Sequence, residues 1–154
     1  MSIKSYRGLL TDDDQIKIRL KTKTGMTGYR IKKFQVMPFD IDGSSSHECS
    51  VCIWKVKQAT VSNDVDFTQG SLLASAYYVR SLNPSAPYVA LISEQSVVFD
   101  NEVFNQDIFV SYQSGQSGQK INYYIELEQL KLSDTEQAMA ILKSMRTSYG
   151  NTMV

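Results

Sequence analysis

Apolar and polar residues alternate along most of this chain, which is the pattern of β-strands that bury one face. Residues 16–22 (IKIRLKT) alternate strictly, and residues 29–38 (YRIKKFQVMP) alternate with a change of phase across Lys32 and Lys33. Such a change of phase predicts a β-bulge. Residues 25–28 (GMTG) tolerate the positive φ angles of a tight turn, so the two segments are predicted to pair as a hairpin.

Further strands are predicted later in the chain. They are residues 49–57, 71–81, 88–93, 96–99, 106–113 and 121–132. The segment from Val51 to Trp54 is apolar on both faces, which is typical of a strand between packed layers or at a subunit contact. Residues 114–118 (SGQSG) predict a hairpin between the last two strands.

A helix is predicted at the C-terminus. Residues 133–136 (SDTE) have the form of a capping box. Ala138, Ile141, Leu142 and Met145 follow at helical spacing and form one apolar stripe. We expect this stripe to cover either the chain's own strands or those of a neighbour.

Many short strands with turns between them and a single helix predict a mainly β protein. The expected fold is an antiparallel β-sandwich, jelly-roll-like, with one C-terminal α-helix. A length of 154 residues suits one domain. Within it we expect an N-terminal arm over residues 1–15, the sandwich over residues 16–132 and the helix over residues 133–149.

Charge and hydropathy argue against two classes of partner. Sixteen basic residues balance sixteen acidic ones, so no global field attracts the chain to nucleic acid. The basic cluster within residues 17–23 alternates with apolar residues and predicts the solvated face of a strand. No segment approaches the ~20 apolar residues of a membrane span, and the N-terminus has no apolar signal core. We therefore expect no membrane partner and synthesis in a cytoplasm.

Two motifs suggest metal chemistry without completing a site. Cys49 and Cys52 form Cys-x-x-Cys beside the one histidine, His47, but zinc needs more ligands and a strand turns these cysteines to opposite faces. Buried strand cysteines are the favoured interpretation. Asp40 and Asp42 resemble the start of a calcium loop, yet Ser45 occupies the sixth position, where that loop requires glycine. We expect no metal and no cofactor.

Residues 97–112 (VVFDNEVFNQDIFVSY) combine three carboxylates with phenylalanines. Asp100 and Glu102 could form the paired acids of a glycosidase if they faced one open cleft. Asp, Asn and Glu in this order are also typical of a corner between strands, and this interpretation is favoured. Together with the absence of a phosphate loop or a nucleophile motif, it predicts that the protein is not an enzyme and has no catalytic residues.

Tyrosine is frequent, with nine residues, several of them adjacent along predicted strands. Adjacent strand residues face opposite ways, so part of each tyrosine pair is available to a second packed layer or to an interface. This pattern favours a homo-oligomer. The candidate interface residues are Tyr6, Leu9, Leu10, Tyr77, Tyr78, Tyr124, Ile141 and Met145.

Six segments in order carry a family resemblance: KSYRGLL, TGYRIKKFQVMP, IWKVKQ, LLASAYY, VVFDNEVFNQDIFVSY and INYYIELEQLKLSDTE. With them the chain resembles a family of small virion structural proteins of tailed bacteriophages, particularly marine ones. The resemblance runs from about residue 4 to residue 146 and is most specific in FDNEVFNQDI and NYYIELEQLKL. Residues 40–50 and 113–120 carry no recognisable pattern, which is typical of exposed loops.

The resemblance implies a structural role in a virion that is assembled in the host cytoplasm. The first expectation is a capsid-associated decoration, cement or minor structural protein that binds other virion proteins, with the N-terminal arm reaching a neighbour. The alternative is a tail or fibre component that binds host-surface glycan. Its groove would use Trp54, Tyr77 or Tyr78, and Tyr112, with Tyr88 and the loop after Asn83 at the rim.

Overall fold

The structure is a computed structural model that describes residues 2–41, 46–82, 91–115 and 118–152. These ranges contain eight β-strands in two antiparallel sheets, followed by one α-helix. In chain order the elements are β1 (Ser2–Leu10), β2 (Asp14–Ile18), β3 (Thr27–Pro38), β4 (His47–Trp54), β5 (Leu72–Leu82), β6 (Leu91–Phe99), β7 (Ile108–Ser114), β8 (Ile121–Lys131) and α1 (Asp134–Thr152). The predicted antiparallel β-sandwich with a C-terminal helix is confirmed.

The strand order is that of a jelly roll. One sheet has the order β1-β8-β3 and the other has the order β2-β7-β4-β5-β6. Pairing of β1 with β8, β2 with β7 and β4 with β5 results when one long hairpin folds over on itself. The strand β6 pairs with β5 and reaches β3 through a hydrogen bond of 3.0 Å from Gln95 Nε2 to the Val36 carbonyl.

Both predicted hairpins are wrong. The strand β2 pairs with β7 while β3 pairs with β8, so residues 16–22 and 29–38 do not face each other. The strands β7 and β8 also belong to different sheets, and the chain between them passes from one layer to the other. The predicted bulge is confirmed, since the register of β3 against β8 shifts between Ile31 and Lys33.

Residues 2–10 are a strand of the sandwich rather than an arm. The strand β1 pairs with β8 along its whole length, from Ser2 opposite Gln129 to Leu10 opposite Ile121. A Cβ added at Gly8 would lie 2.9 Å from Cε1 of Tyr123, so the close approach of the tyrosine ring requires glycine there. The alternation of β1 turns Tyr6 and Leu10 toward the core, which is why this segment joins the sheet.

The main core lies between the sheets and is lined by the inward faces of their strands. Its fully buried members include Leu10, Val51, Ile53, Ile108, Val110, Tyr112, Ile121, Ile125 and Leu127. A second cluster of Cys52, Trp54 and Leu72 lies on the outer face of the five-stranded sheet. The chain after β4 crosses this outer face toward β2, where Gln58 and Gln15 exchange hydrogen bonds of 2.8 and 3.0 Å. The doubly apolar strand is therefore enclosed by its own chain.

Candidate interaction surface

The helix α1 begins at the predicted capping box. The backbone N–H of Glu136 donates to Ser133 Oγ at 3.3 Å, and the N–H of Ser133 donates to Glu136 Oε2 at 3.4 Å. These bonds satisfy backbone donors that the first helical turn leaves free. The box fixes where the chain leaves β8 and therefore the direction in which α1 runs.

One face of α1 rests on the sandwich. Gln137 donates from Nε2 to the carbonyl of Thr24, Ala140 is buried, and Ile141 and Ser144 are half-buried. These four residues follow the i, i+3, i+4, i+7 spacing of a single helical face. The face on the sandwich is thus rotated from the predicted apolar stripe and shares only Ile141 with it.

The remainder of the predicted stripe faces away from the sandwich. Leu142 is 58% exposed and Met145 is 48% exposed, and Met139 beside them is 55% exposed. Ala138 is also exposed. We refer to these four residues as the outer helix face. Clustered exposed apolar residues often mark an interaction site, so this helix face is a candidate interface.

An apolar groove of about 710 Å³ runs beside the helix. Its apolar lining comes from Val103, Leu130, Leu132, Met139 and Ala140, and the polar residues that also line it are Asn101, Glu102, Lys131, Glu136 and Lys143. Gly28 permits this packing, because a Cβ there would lie 2.7 Å from Leu132 Cδ2. Met139 belongs to both the groove and the outer helix face, so the two adjoin.

The predicted interface residues divide into two groups. Leu10 and Tyr78 are buried in the chain's own core, so they were wrongly assigned to an interface. Each lies on an inward-facing strand position, where the strand period buries it. The others reach the surface at least in part: Tyr6, Leu9, Tyr77, Tyr124, Ile141 and Met145. Of these, Ile141 and Met145 belong to α1.

Two of the surface tyrosines are held by carboxylates of their own sheets. Tyr77 donates its hydroxyl to Glu94 Oε1 at 2.7 Å, which raises the pKa of that tyrosine. Tyr124 donates to Glu126 Oε1 at 2.8 Å, and this bond raises its pKa in the same way. Lys33 Nζ lies 5.7 Å from the ring centre of Tyr124. The outer face of the three-stranded sheet is therefore polar around Tyr124.

The acidic stretch between β6 and β7 forms a corner, as the sequence indicates. Asp107 Oδ1 accepts hydrogen bonds of 2.8 Å from the N–H groups of Leu20 and Lys21, and Lys17 Nζ lies 3.3 Å from Oδ2. Burial raises the pKa of Asp107, but these donors outweigh it and leave the pKa below its ordinary value. Glu102 forms an ion pair of 3.0 Å with the buried Lys55.

Asp100 and Glu102 nevertheless border one shallow cleft. The cleft has a volume of about 380 Å³, and Phe67 and Phe99 line it as well. Phe67 is 69% exposed and Phe99 is 40% exposed. Both carboxylates thus line one cleft beside aromatic rings, an arrangement that the glycosidase alternative requires and the favoured corner interpretation does not. Phe67 was missed because it lies in the irregular segment after β4.

The groove predicted for glycan is not formed by the residues proposed for it. Trp54 is buried and donates from Nε1 to Ser111 Oγ at 2.8 Å, and Tyr112 is fully buried. Tyr78 belongs to the core, as noted above. Tyr88 and the loop after Asn83 lie outside the described residues.

A buried polar cluster occupies one end of the sandwich. His47 is fully buried, and its Nε2 lies 2.9 Å from the hydroxyl of Tyr112, which donates in turn to the carbonyl of Gln119 at 3.1 Å. Arg80 Nη1 donates to the carbonyl of Asp40 at 2.6 Å. Burial first, and the charge of Arg80 second, lower the pKa of His47. The cluster ties β4, β5 and β7 to the loops at their ends.

The cysteines are free and buried, as the strand pattern predicts. Cys49 faces the core and Cys52 faces the outer cluster, and burial raises the pKa of Cys49 to about 12. No group of three His, Cys, Asp or Glu side chains in the described residues is arranged to hold a metal ion. Asp42 and Ser45 of the suggested calcium loop lie outside those residues.

Comparisons with known proteins add no relative. Within the described ranges, α1 is not apolar enough over its length to span a membrane. Neither a scan against protein-family models nor a search of curated proteins found a match for the chain.

Proposed function

We propose that this chain is a structural protein of a tailed-bacteriophage virion and acts through protein–protein interfaces. Within the particle, we propose a capsid-associated role as a decoration, cement or minor structural component. The outer helix face carries the proposal, because the sandwich covers the opposite side of α1 and leaves these apolar residues to a partner. The family resemblance of the sequence supplies the virion context and assembly in the host cytoplasm.

The remaining features support a structural role. The acids of the corner are engaged in positioning backbone and in an ion pair, and the cysteines are buried. The core is continuous between two sheets, which gives a rigid platform for presenting α1. A rigid platform with one apolar docking element suits binding repeated over many copies by particle symmetry.

The test is incorporation into particles. Host cells infected by the phage would express tagged wild-type chain, Leu142→Asp or Lys57→Glu, and purified virions would be probed by immunogold microscopy and mass spectrometry. Wild type and the exposed-loop control Lys57→Glu should label the capsid. Leu142→Asp should be depleted at least tenfold, because it places a charge on the face that the proposed partner would bury. Equal incorporation of all three chains, or absence of wild type from virions, would contradict the proposal.

A second candidate function is glycan binding by a tail or fibre component, and the cleft beside Asp100 favours it. Exposed Phe67 and Phe99 offer apolar ring faces, and the Asp100 carboxylate is exposed next to them. Sugar rings combine apolar faces with hydroxyl groups, so they suit such a surface. A glycan array would test this candidate with wild type, Phe67→Ala and, as control, Phe39→Ala at another exposed phenylalanine. Label at the tail, together with binding lost only in Phe67→Ala, would replace the capsid assignment.

A further inference from the structure

A cavity of about 780 Å³ lies on the outer face of the three-stranded sheet, and we refer to it as the sheet cavity. Its volume falls within the range of about 300–1,000 Å³ in which proteins bind small ligands. Two rows of outward-facing side chains cross its floor, and each row takes one residue from β1, one from β8 and one from β3. The rows are Arg7, Tyr124, Gln35 and Leu9, Asn122, Met37.

The floor of the sheet cavity presents amide groups that the chain itself does not use. Asn122 lies half-buried on the central strand β8, and Gln35 lies exposed on the neighbouring β3. Neither side-chain amide forms a hydrogen bond with any residue in the described ranges. Each amide has two N–H donors and a carbonyl acceptor. Because β8 is paired on both sides, its backbone groups are used within the sheet, and side chains are what it offers to a ligand.

Arg7 gives the sheet cavity a positive charge. Its side chain forms no ion pair with a carboxylate in the described part of the chain. None of the described residues that line the cavity is acidic. The nearby Glu126 lies in the next row, opposite Lys33, and accepts the hydrogen bond from the Tyr124 hydroxyl. A guanidinium group has donors only and binds a carboxylate through two parallel hydrogen bonds, so this cavity suits a carboxylate ligand.

Apolar side chains flank these polar groups. Leu9 is 42% exposed and Met37 is 62% exposed, and they lie on either side of Asn122. A sugar ring combines hydroxyl groups, each both donor and acceptor, with apolar C–H faces, so it matches amides set between apolar side chains. An acidic peptide would bind an open strand edge through its main chain, and the floor around β8 has no such edge.

We propose that the sheet cavity binds a sugar that carries a carboxylate, of the hexuronate or sialic acid type. Arg7 pairs with the carboxylate, and the amides of Asn122 and Gln35 bind ring hydroxyls. Leu9 and Met37 contact the C–H faces of the ring. This inference goes beyond the proposed virion role and does not rest on it, since the cavity shares no residue with the outer helix face.

A glycan array that carries hexuronate and sialylated glycans beside their neutral counterparts tests the ligand class. Wild type should bind carboxylated members at least fivefold more strongly than the neutral ones, because the paired hydrogen bonds to Arg7 require the carboxylate. Absence of binding to every carboxylated glycan, or equal binding of the neutral counterparts, would overturn the inference. A glutamate-rich peptide on the same array should stay unbound, and binding as strong as that of the sugars would overturn the sugar assignment.

Variants at the cavity test the site. Arg7→Gln should weaken binding of the carboxylated glycans about fivefold to tenfold, and Arg7→Lys should fall between that variant and wild type, because lysine keeps the charge but not the paired geometry. Arg19→Gln removes the same charge at an exposed position outside the cavity and should bind as wild type does. Melting temperatures within a few degrees of wild type would show that the variants fold. Unchanged binding by Arg7→Gln would overturn the inference.

Phe67→Ala separates the sheet cavity from the cleft beside Asp100. That cleft is lined by two carboxylates, which repel an acidic sugar, so Phe67→Ala should keep full binding to the carboxylated glycans. Binding lost in Phe67→Ala and kept in Arg7→Gln would move the sugar to the cleft and overturn the inference. Incorporation of Leu142→Asp into virions tests the proposed function on other residues, so the two can fail separately.

Discussion

At the scale of single residues, His47 gives the sandwich a pH dependence. Burial lowers its pKa in the folded state below the unfolded value of about 6.5. The neutral form is therefore favoured by folding, and its contribution to stability is fully present above pH ~6.5 and lost as pH falls through the folded pKa. We expect the melting temperature to fall as pH is lowered from 7 to 5, measured by circular dichroism.

The control for this prediction is His47→Gln. Glutamine does not titrate and retains a donor that can reach the Tyr112 hydroxyl. Its melting temperature should be lower at pH 7, but its decline between pH 7 and pH 5 should be shallower than that of wild type. An equal decline in both proteins would assign the pH dependence to other groups.

Asp107 provides a second prediction at this scale. Replacement by alanine leaves the N–H groups of Leu20 and Lys21 without their acceptor and should cost about 1–3 kcal/mol of unfolding free energy. Asp107→Asn keeps a side-chain oxygen and should cost less. Urea unfolding monitored by tryptophan fluorescence measures both, and equal costs would mean that the two backbone bonds contribute little.

Residue roles were predictable from sequence where they depend on local pattern. The opposite orientations of Cys49 and Cys52 and the capping of α1 by Ser133 follow from spacing alone. The bond between His47 and Tyr112 joins residues 65 positions apart, and no spacing rule indicates it. The direction of the predicted helix stripe stayed open for a related reason, because periodicity identifies a stripe but not what lies against it.

At the scale of elements, the alternation of apolar and polar residues identified the strands but did not indicate which strands pair with each other. The turn-forming residues 25–28 and 114–118 led to the two predicted hairpins, but the strands on either side of each segment belong to different sheets. A jelly roll instead pairs the first strand with the last, so each ladder joins distant segments such as Ser2 and Gln129. Residues 25–28 do favour a turn, but this turn lies where the chain passes from the sheet of β2 to the sheet of β3.

The bulge in β3 gives the prediction for this scale. Lys32 has no partner on β8, and its insertion lets both Ile31 and Phe34 face the core. Deleting Lys32 should turn one half of β3 inside out, because a shift of one residue exchanges the faces of a strand. We expect loss of the folded near-ultraviolet circular dichroism spectrum in this variant.

Deletion of Asn63 is the matched control for the bulge. It also shortens the chain by one residue, but it falls in the exposed irregular segment between β4 and β5. Loops tolerate such changes, so this variant should keep its spectrum and melt within a few degrees of wild type. A folded Lys32 deletion would show that β3 can rebuild its register without the bulge.

At the scale of the whole molecule, the sandwich and the helix contribute unequally to the main core. Every member of the main core cluster belongs to the sandwich, whereas α1 contributes contacts around Gln137 and Ala140. The helix therefore adds little to the core that holds the two sheets together. The exposed apolar residues of α1 form the outer helix face. Whether the sandwich folds without the helix can be tested directly.

Removal of residues 133–154 should leave a folded sandwich. The last core strand stays intact, and Leu132 keeps the bond from its N–H to the Met26 carbonyl at 2.7 Å. We expect a cooperative melt about 2–8 °C below that of wild type, corresponding to roughly 1 kcal/mol of lost helix contacts. Truncation after Glu126 is the control, since it removes the buried Leu127 and half of the β8 ladder, and it should not fold. Unfolding of the first truncation would mean that α1 is part of the core.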